Sequence, residues 1–328
     1  MAEVLIVSRL LQFAGVIVVF GCGAFRLYGL GVDTATTSAY ALTTFDVWFW
    51  RVATVGAIVV LLSALSLMLA TTANMAGSIA AALDPDTISK FLFGTSFGRV
   101  WCWHLVFAVL AIGVCLAPNA RWRMPAMLVL SVLLLVSLGW VGHAVEGQGV
   151  DRLVHQINQM VHLLAAGLWP GGLVPLAWLL GRARSPSGAV WISVARDVVP
   201  RFSQMGYVAV ALLAATGLLN SLLLVGSTRA LIGTSYGRLL ALKILLFLAM
   251  VAIALFNRFR LVPRLRRETQ AAAAAAALAR SVLCEQGLGF AILLVVGVLG
   301  TWPPAIHTAG HRSGRADLVI THHTVDRE

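Results

Sequence analysis

Residues 239–267 read LLALKILLFLAMVAIALFNRFRLVPRLRR, an apolar run broken by a single lysine and followed by a segment with five arginines. An apolar run of about 20 residues is long enough to cross a bilayer as a helix. Arginines that flank such a run are enriched on the cytoplasmic side of the membrane. This stretch therefore predicts a transmembrane helix, together with the end of it that faces the cytoplasm.

The composition of the whole chain agrees with this stretch. Of its 328 residues, 59% are hydrophobic and only 11% are charged, and the mean hydropathy is +0.90. Soluble domains carry about 25% charged residues, so we expect a protein embedded in the lipid bilayer. The net charge of +11 comes from basic residues between apolar runs, which predicts no nucleic-acid binding. Residues 4–30 lack a basic leader and are long enough to span, so we expect no removable signal peptide.

Apolar runs predict an all-α, polytopic membrane protein with about eight transmembrane helices. We assign residues 1–301 to this transmembrane domain and residues 302–328 to a short tail that contains histidines. The predicted spans are residues 4–30, 47–73, 99–117, 124–145, 153–180, 201–225, 237–259 and 281–301. The Ala271–Ala277 run predicts a helical extension before the last span, because alanine has the highest helix propensity. No internal repeat is evident.

Arginines set the predicted orientation. The connection between the seventh and eighth spans holds six arginines and a single acid, Glu268, and the connection between the fifth and sixth spans holds four arginines. The positive-inside rule places both connections in the cytoplasm. Because the number of spans is even, both termini are then outside, which is the periplasm in a bacterium.

All eight histidines fall on the outer side in this topology. An ionisable group at membrane depth is a functional-site candidate, and imidazole is a common metal ligand. Four histidines lie near the ends of spans and four lie in the tail. They are His104, His143, His155, His162, His307, His311, His322 and His323.

The fifth span carries the densest set of candidate ligands. His155, Gln159 and His162 follow the i, i+4, i+7 spacing and share one helix face. The two histidines differ by about 10 Å along the axis, so they could belong to successive sites or to a ligand and its supporting neighbour. Met160 lies between them and offers a soft sulfur. The alternative for His155 is a polar helix end that faces solvent.

Two further histidines occur at the outer ends of other spans. His143 follows glycines that allow helices to approach closely, and His104 follows two tryptophans typical of an interfacial aromatic belt. The four cysteines form no CxxC pair, so we expect no disulfide framework or zinc knuckle. Other polar residues in the outer halves of spans could pair with acids or reach towards solvent; they are Arg9, Gln12, Asn220 and Lys243.

A break in the fifth span is predicted at Trp169-Pro-Gly-Gly172. Proline removes a backbone donor and clashes with the preceding turn, and the two glycines loosen the helix further. Freed carbonyls within a bilayer must face protein or a cavity. The break could therefore line a passage through the protein, or it could be a bend that serves packing.

Several strings are shared with a known family. They are Gly142-His143-Ala144, residues 162–173 (HLLAAGLWPGGL), Asn257-Arg258, residues 261–265 (LVPRL) and Pro303-Pro304-Ala305. With these strings the chain resembles the CopD family of copper-resistance membrane proteins over essentially all eight spans. The resemblance implies a bacterial inner-membrane protein of copper tolerance and uptake, which often works beside a periplasmic CopC copper-binding domain. It also implies roles for His143, His162, Trp169 and the glycine pair. Here no CopC domain is fused, so such a partner would be separate.

The leading hypothesis is a copper-handling protein, not an enzyme, whose outer metal site uses His143 and His162. His104, His155 and Met160 are nearby candidate ligands, because imidazole and thioether groups suit copper. The absence of an ATP-binding loop indicates that this chain does not drive transport with ATP. One alternative is a haem-b electron carrier whose paired histidines ligate iron. A second alternative is a scaffold or sensor for a periplasmic copper-binding partner.

Overall fold

The computed structural model describes residues 2–31, 39–140, 149–184, 188–225 and 228–302. These ranges are helical and contain no strand. The α-helices are α1 (Ala2–Tyr28), α2 (Ala39–Ala76), α3 (Ile79–Ala82), α4 (Pro85–Gly94), α5 (Ser96–Leu116), α6 (Arg123–Gly139), α7 (Gly149–Ala166), α8 (Leu173–Arg182), α9 (Gly188–Val225), α10 (Thr228–Gly233), α11 (Ser235–Phe256), α12 (Val262–Arg266) and α13 (Ala271–Leu299). Two π turns, Gly167–Gly171 and Asn257–Leu261, and a 3-10 turn, Glu268–Gln270, connect some of them.

The predicted all-α membrane fold is confirmed. Within the described ranges, seven helical segments are long and apolar enough to cross a membrane. The shorter apolar helix α6, with 17 residues, occupies the remaining predicted span and lies at the lower end of the length that crosses a bilayer. Each predicted span thus coincides with a helix. The orientation of the termini stays a prediction.

Helix α1 lies at the centre of the bundle. It packs against α2, α6, α8, α13 and the first π turn. Its buried residues include a continuous stretch from Val19 to Phe25. The rings of Phe25, Phe45 and Phe49 stack in sequence and have no exposed surface, so they fill the core beside the second half of α1.

The predicted break in the fifth span is a π turn. Helix α7 continues through Gly167–Gly171 into α8, and Pro170 lies inside this turn. A proline cannot donate its backbone hydrogen bond and clashes with the preceding turn, so the helix widens locally. The position of the break was therefore predictable from the proline and its glycines.

Helix α1 and the first π turn pack backbone to backbone. A Cβ atom added to Gly21 would lie 2.3 Å from the carbonyl carbon of Gly171. One added to Gly171 would lie 2.3 Å from the carbonyl oxygen of Ile17, and one added to Gly167 would meet the ring of Phe20 at the same distance. Small residues let membrane helices approach closely. Packing therefore accounts for these glycines.

Several helices extend beyond the predicted spans. Helix α9 begins at Gly188, well before residue 201, and the predicted helical extension through the alanine run is confirmed because α13 begins at Ala271. The short helices α3 and α4 occupy a segment for which the sequence predicted no helix. Asp84 caps α4 through its side chain, and the hydrogen bonds from Thr87 lower the pKa of this carboxyl.

Two spans begin with nearly the same five residues and with the same cap. Thr95-Ser-Phe-Gly-Arg99 opens α5, and Thr234-Ser-Tyr-Gly-Arg238 opens α11. Each threonine hydroxyl accepts a hydrogen bond from the glycine N–H three residues later, at 2.8 and 3.0 Å. Nine residues after each threonine the chain carries His104 or Lys243.

Replacing Gly21 by alanine should destabilise the protein by about 1–3 kcal/mol, the usual cost of overpacking a close contact. The added methyl group collides with the backbone of the π turn, which cannot move as a flexible side chain would. Thermal unfolding in detergent, followed by tryptophan fluorescence, measures the loss. Gly113→Ala on α5 is the matched control, because its Cβ atom meets nothing within 4 Å. Equal stability of the two variants would contradict this account of the packing.

Candidate metal site

The first polar network joins four helices around His104. The His104 network consists of Ser63, Gln12, His104 and Ser137. The Ser63 hydroxyl donates to Oε1 of Gln12 at 2.6 Å, and Nε2 of Gln12 lies 2.6 Å from Nε2 of His104. Nδ1 of His104 lies 2.7 Å from the Ser137 hydroxyl oxygen. His104 has no exposed surface and stacks on Trp101.

Donors and acceptors match along this network without conflict. Because Gln12 accepts through Oε1, it donates through Nε2 to the Nε2 lone pair of His104. His104 then carries its proton on Nδ1 and donates to Ser137, whose own hydroxyl donates to the carbonyl of Leu134 at 2.8 Å. Both ring nitrogens of His104 are thereby occupied. A metal could bind this side chain directly only by displacing Gln12 or Ser137.

The second polar network joins α7 and α9 around His162. The His162 network consists of His162, Thr216, Asn158, Asn220 and Gln159. Nδ1 of His162 lies 2.8 Å from the Thr216 hydroxyl oxygen. Asn158 donates to the Thr216 carbonyl at 3.1 Å and to Oδ1 of Asn220 at 2.9 Å. Asn220 in turn donates to Gln159 at 3.2 Å. The predicted shared face of Gln159 and His162 therefore packs on α9.

The hydrogen bonds of Thr216 fix the proton of His162. The Thr216 hydroxyl donates to the carbonyl of Leu212 one turn earlier, so its oxygen accepts from His162. His162 therefore carries its proton on Nδ1, and Nε2 keeps a lone pair. Among the residues that the structure describes, no hydrogen-bond donor to this Nε2 is present. In contrast to His104, His162 has a nitrogen available for a ligand.

The other candidates on α7 have different surroundings. His155 is buried, as is its neighbour Gln156. The sulfur of Met160 accepts a hydrogen bond from the Trp140 indole N–H at 3.2 Å, and Met160 also packs against Gly139. Met160 thus faces α6, whereas His162 faces α9. The structure does not bring Met160 and His162 together on one face of the helix.

His143 and the tail histidines His307, His311, His322 and His323 lie outside the described residues. In the part of the chain that the structure does describe, no group of three or more histidine, cysteine or acidic side chains could hold a metal ion. The predicted ligand set of His143, His162, His104, His155 and Met160 therefore stays a prediction.

Both networks lie in the same half of the bundle as the start of α1 and the end of α13. Arg9 near the start of α1 donates to the carbonyl of Gly300 after α13, which joins the first and last spans at one level. Gln12 of the His104 network is three residues after Arg9 on α1. Ser137 of the same network is two residues before Gly139, and Gly139 contacts Met160, which is two residues before His162. This arrangement agrees with the placement of His104 and His162 on one side of the membrane.

One buried acid was missed by the sequence analysis. Glu285 lies inside the predicted span 281–301 and is only 2% exposed, and it accepts a hydrogen bond from Asn257 at 2.6 Å. The signal was present in the sequence, because a carboxyl group within an apolar membrane helix is expensive and therefore a functional candidate.

Comparison with known sequences identifies the family. Residues 1–154 match the sequence profile of the copper resistance protein D-like N-terminal domain, and residues 196–299 match that of copper resistance protein D. Over 300 residues the chain is 32% identical to inner membrane protein YebZ of Escherichia coli (strain K12), which covers 91% of this chain and 98% of that relative. The chain belongs to the copper resistance protein D family. The resemblance seen in the sequence is therefore confirmed.

Two other relatives of this family carry copper in their names. Copper resistance protein D of Pseudomonas syringae pv. tomato is 29% identical over 306 residues, which is 91% of this chain and 96% of that protein. Copper transport protein CutJ of Bacillus subtilis (strain 168) is 29% identical over 248 residues, 73% of this chain and 43% of that protein. No solved structure matches the chain. YebZ is named an inner membrane protein, and this chain, with seven long apolar helices in its described ranges, is a multi-pass inner-membrane protein.

Replacing His104 by leucine should lower the stability of this protein. The change leaves Gln12 and Ser137 without their buried partner, which costs on the order of 1–3 kcal/mol for each unsatisfied group. Thermal unfolding in detergent gives the difference. Trp103→Leu, on the same helix but 64% exposed, is the control. If the two variants unfold at the same temperature, the network does not contribute to stability.

Proposed function

We propose that this protein binds copper with His162 at the end of the bundle where α1 begins and α13 ends, and that it moves the ion across the inner membrane. The observation that carries the proposal is the hydrogen bond from Nδ1 of His162 to Thr216, which leaves Nε2 unprotonated. Histidines that ligate metals generally donate their other ring N–H to a protein acceptor in this way. Membership of the copper resistance protein D family supports copper as the metal.

Further ligands are needed, because one imidazole does not hold an ion. His143 is the second ligand that the family resemblance implies, and it comes from the sequence alone. His155 lies on the same helix as His162 and supplies an imidazole at another level, whereas Met160 supplies a thioether on the face of α7 that packs against α6. Both groups suit copper. His104 contributes by joining four helices through its hydrogen-bond network, and it becomes a ligand only if Gln12 or Ser137 releases it.

The charge of Lys243 bears on how tightly the ion is held. Lys243 on α11 lies close enough to His162 to act on it electrostatically. A positive charge on Lys243 would oppose a cation bound at His162 and would therefore weaken the site. Conduction through a membrane requires binding that is favourable enough for entry and weak enough for release. A weakened site therefore suits a transporter better than a storage protein.

The proposed setting is a copper-uptake or copper-tolerance system without enzymatic activity in this chain. The arginine pattern predicts that the His162 end faces the periplasm, where a separate CopC-like protein could deliver copper. The relative from Bacillus subtilis is named a copper transport protein, which supports movement of the ion in this chain too. The histidines of the tail would assist capture at the same surface.

His162→Ala and His143→Ala should each sharply reduce the copper that the purified protein retains, because each removes an imidazole ligand. Elemental analysis after copper loading and desalting measures the copper bound per protein. Ile157→Ala serves as the control, since Ile157 is on α7 with a side chain that is largely exposed. Unchanged stoichiometry in both histidine variants would rule out the proposed site.

An absorption spectrum of the same samples tests the other functions. A Soret band without copper would assign the histidines to haem, although the occupied Nε2 of His104 leaves fewer nitrogens for axial ligation among the described residues. Copper-independent binding of a periplasmic partner would instead favour a scaffold or sensor. Stoichiometric copper without a Soret band supports the copper proposal.

Thr216→Val should weaken copper binding by about 10–100-fold, the usual effect of removing the partner of a metal-ligating histidine. Valine keeps the shape of threonine but cannot accept the Nδ1 proton of His162, so the ring loses its fixed orientation. Competition with a copper chelator measures the affinity. Ser221→Ala is the matched control on α9, because the Ser221 hydroxyl donates only within its own helix, to Gly217. Equal affinities in the two variants would contradict a role for His162 Nε2.

A further inference from the structure

A cavity lies between α8, α9, α11 and α13, away from the His162 network. It has room for about 80 Å³ of solvent, and its lining is almost entirely apolar. Both π turns contribute to it, the first through Trp169 and the second through Asn257. π turns within α-helices are frequent at functional sites. Asn257 follows Lys243 by fourteen residues, so the cavity lies about 21 Å along the bundle from the level of Lys243.

A buried amide and a buried carboxyl group meet in this cavity. Nδ2 of Asn257 donates to Oε1 of Glu285 at 2.6 Å. The two residues are only 7% and 2% exposed, respectively. Oδ1 of Asn257 is buried and has no hydrogen-bond partner in the structure. A buried acceptor without a donor is costly, so this oxygen indicates that a hydrogen atom or a ligand belongs beside it.

A proton on Glu285 supplies the missing donor. An amide and a carboxylic acid can pair through two hydrogen bonds, in which the amide N–H donates to one carboxyl oxygen and the carboxyl O–H donates to the amide oxygen. Protonation also removes the charge from a carboxylate in apolar surroundings, where an unpaired charge is expensive.

A proton on Glu285 accounts for its buried carboxyl group and for the unpaired Oδ1 of Asn257 better than an ion pair or a metal ion does. Arg258 lines the same cavity, yet among the described residues no ion pair joins it to Glu285, and its guanidinium lies 5.9 Å from the centre of the Tyr207 ring. Hard metal ions take six or more oxygen ligands. Among the described lining residues, the side-chain oxygens come from one carboxyl, one amide and the hydroxyls of Ser203 and Tyr207.

We propose that Glu285 is a proton-binding site, which holds its proton in the resting protein through a paired contact with Asn257. Among the described residues that line the cavity, the other titratable or charged groups are Tyr207 on α9 and Arg258 after α11, while α8 contributes apolar side chains. Tyr207 and Leu255 line the cavity and are also exposed on the surface of the bundle.

Infrared spectra of the purified protein test the assignment. In a detergent without ester groups, the wild-type protein at neutral pH should show the C=O stretching band of a protonated carboxylic acid, shifted in D₂O. Glu285→Gln should lose this band and keep its fold, because glutamine can form the same pair with Asn257. Asn257→Leu should move the band to higher frequency, because the carbonyl loses its hydrogen bond.

Matched variants keep the test decisive. Glu268→Gln should retain the band, because its side chain is 90% exposed. If Glu285→Gln does not fold, Glu285→Asp should move the band rather than remove it. The absence of the band from the wild-type protein, its persistence in Glu285→Gln, or carboxylate bands that change with Na⁺ or K⁺ would overturn the proposal. The experiment needs no copper, so its failure leaves the copper proposal intact.

Discussion

Polar groups inside a bilayer must find their partners within the protein, because lipid offers no hydrogen bonds. In this bundle those partners come from other helices. Arg9 donates to the carbonyl of Gly300, which joins α1 to α13, and Gln286 donates to the carbonyl of Leu173 at 2.9 Å, which joins α13 to α8. Since lipid tails are as apolar as leucine, such bonds and close glycine contacts contribute strongly to which helices become neighbours.

The same constraint separates two histidines that look alike in the sequence. His104 and His162 each lie within an apolar helix, and each donates its Nδ1 proton to a hydroxyl group. Gln12 donates a hydrogen bond to the second nitrogen of His104. The Thr216 hydroxyl instead donates to a backbone carbonyl of α9. His104 therefore holds neighbouring helices together through both ring nitrogens, whereas Nε2 of His162 keeps a lone pair. The difference is set by neighbours from distant parts of the chain.

Length and hydrophobicity predicted most of the fold, because membrane spans depend on local composition. The spans, the alanine-rich extension and the break at Pro170 were all visible in the sequence. The start of α9 at Gly188 was not visible in the sequence, because an amphipathic helix that extends beyond the bilayer contains no continuous apolar run. In the site, the shared face of Gln159 and His162 followed from helical spacing. The partners of His104 could not be predicted, since they come from α1 and α6. Glu285 was missed although its position in an apolar span marked it.

The repeated threonine caps have a consequence for the kinds of sequence change that the protein tolerates. Each cap fixes where its helix begins, and the ninth residue after it then lies about 13 Å deeper along the axis. Inserting or deleting one residue in these first turns of α5 or α11 would shift His104 or Lys243 by about 1.5 Å and rotate it by about 100° around the helix. Both side chains would then face the wrong neighbours. Length variation among relatives should therefore fall before Thr95 and Thr234 rather than after them.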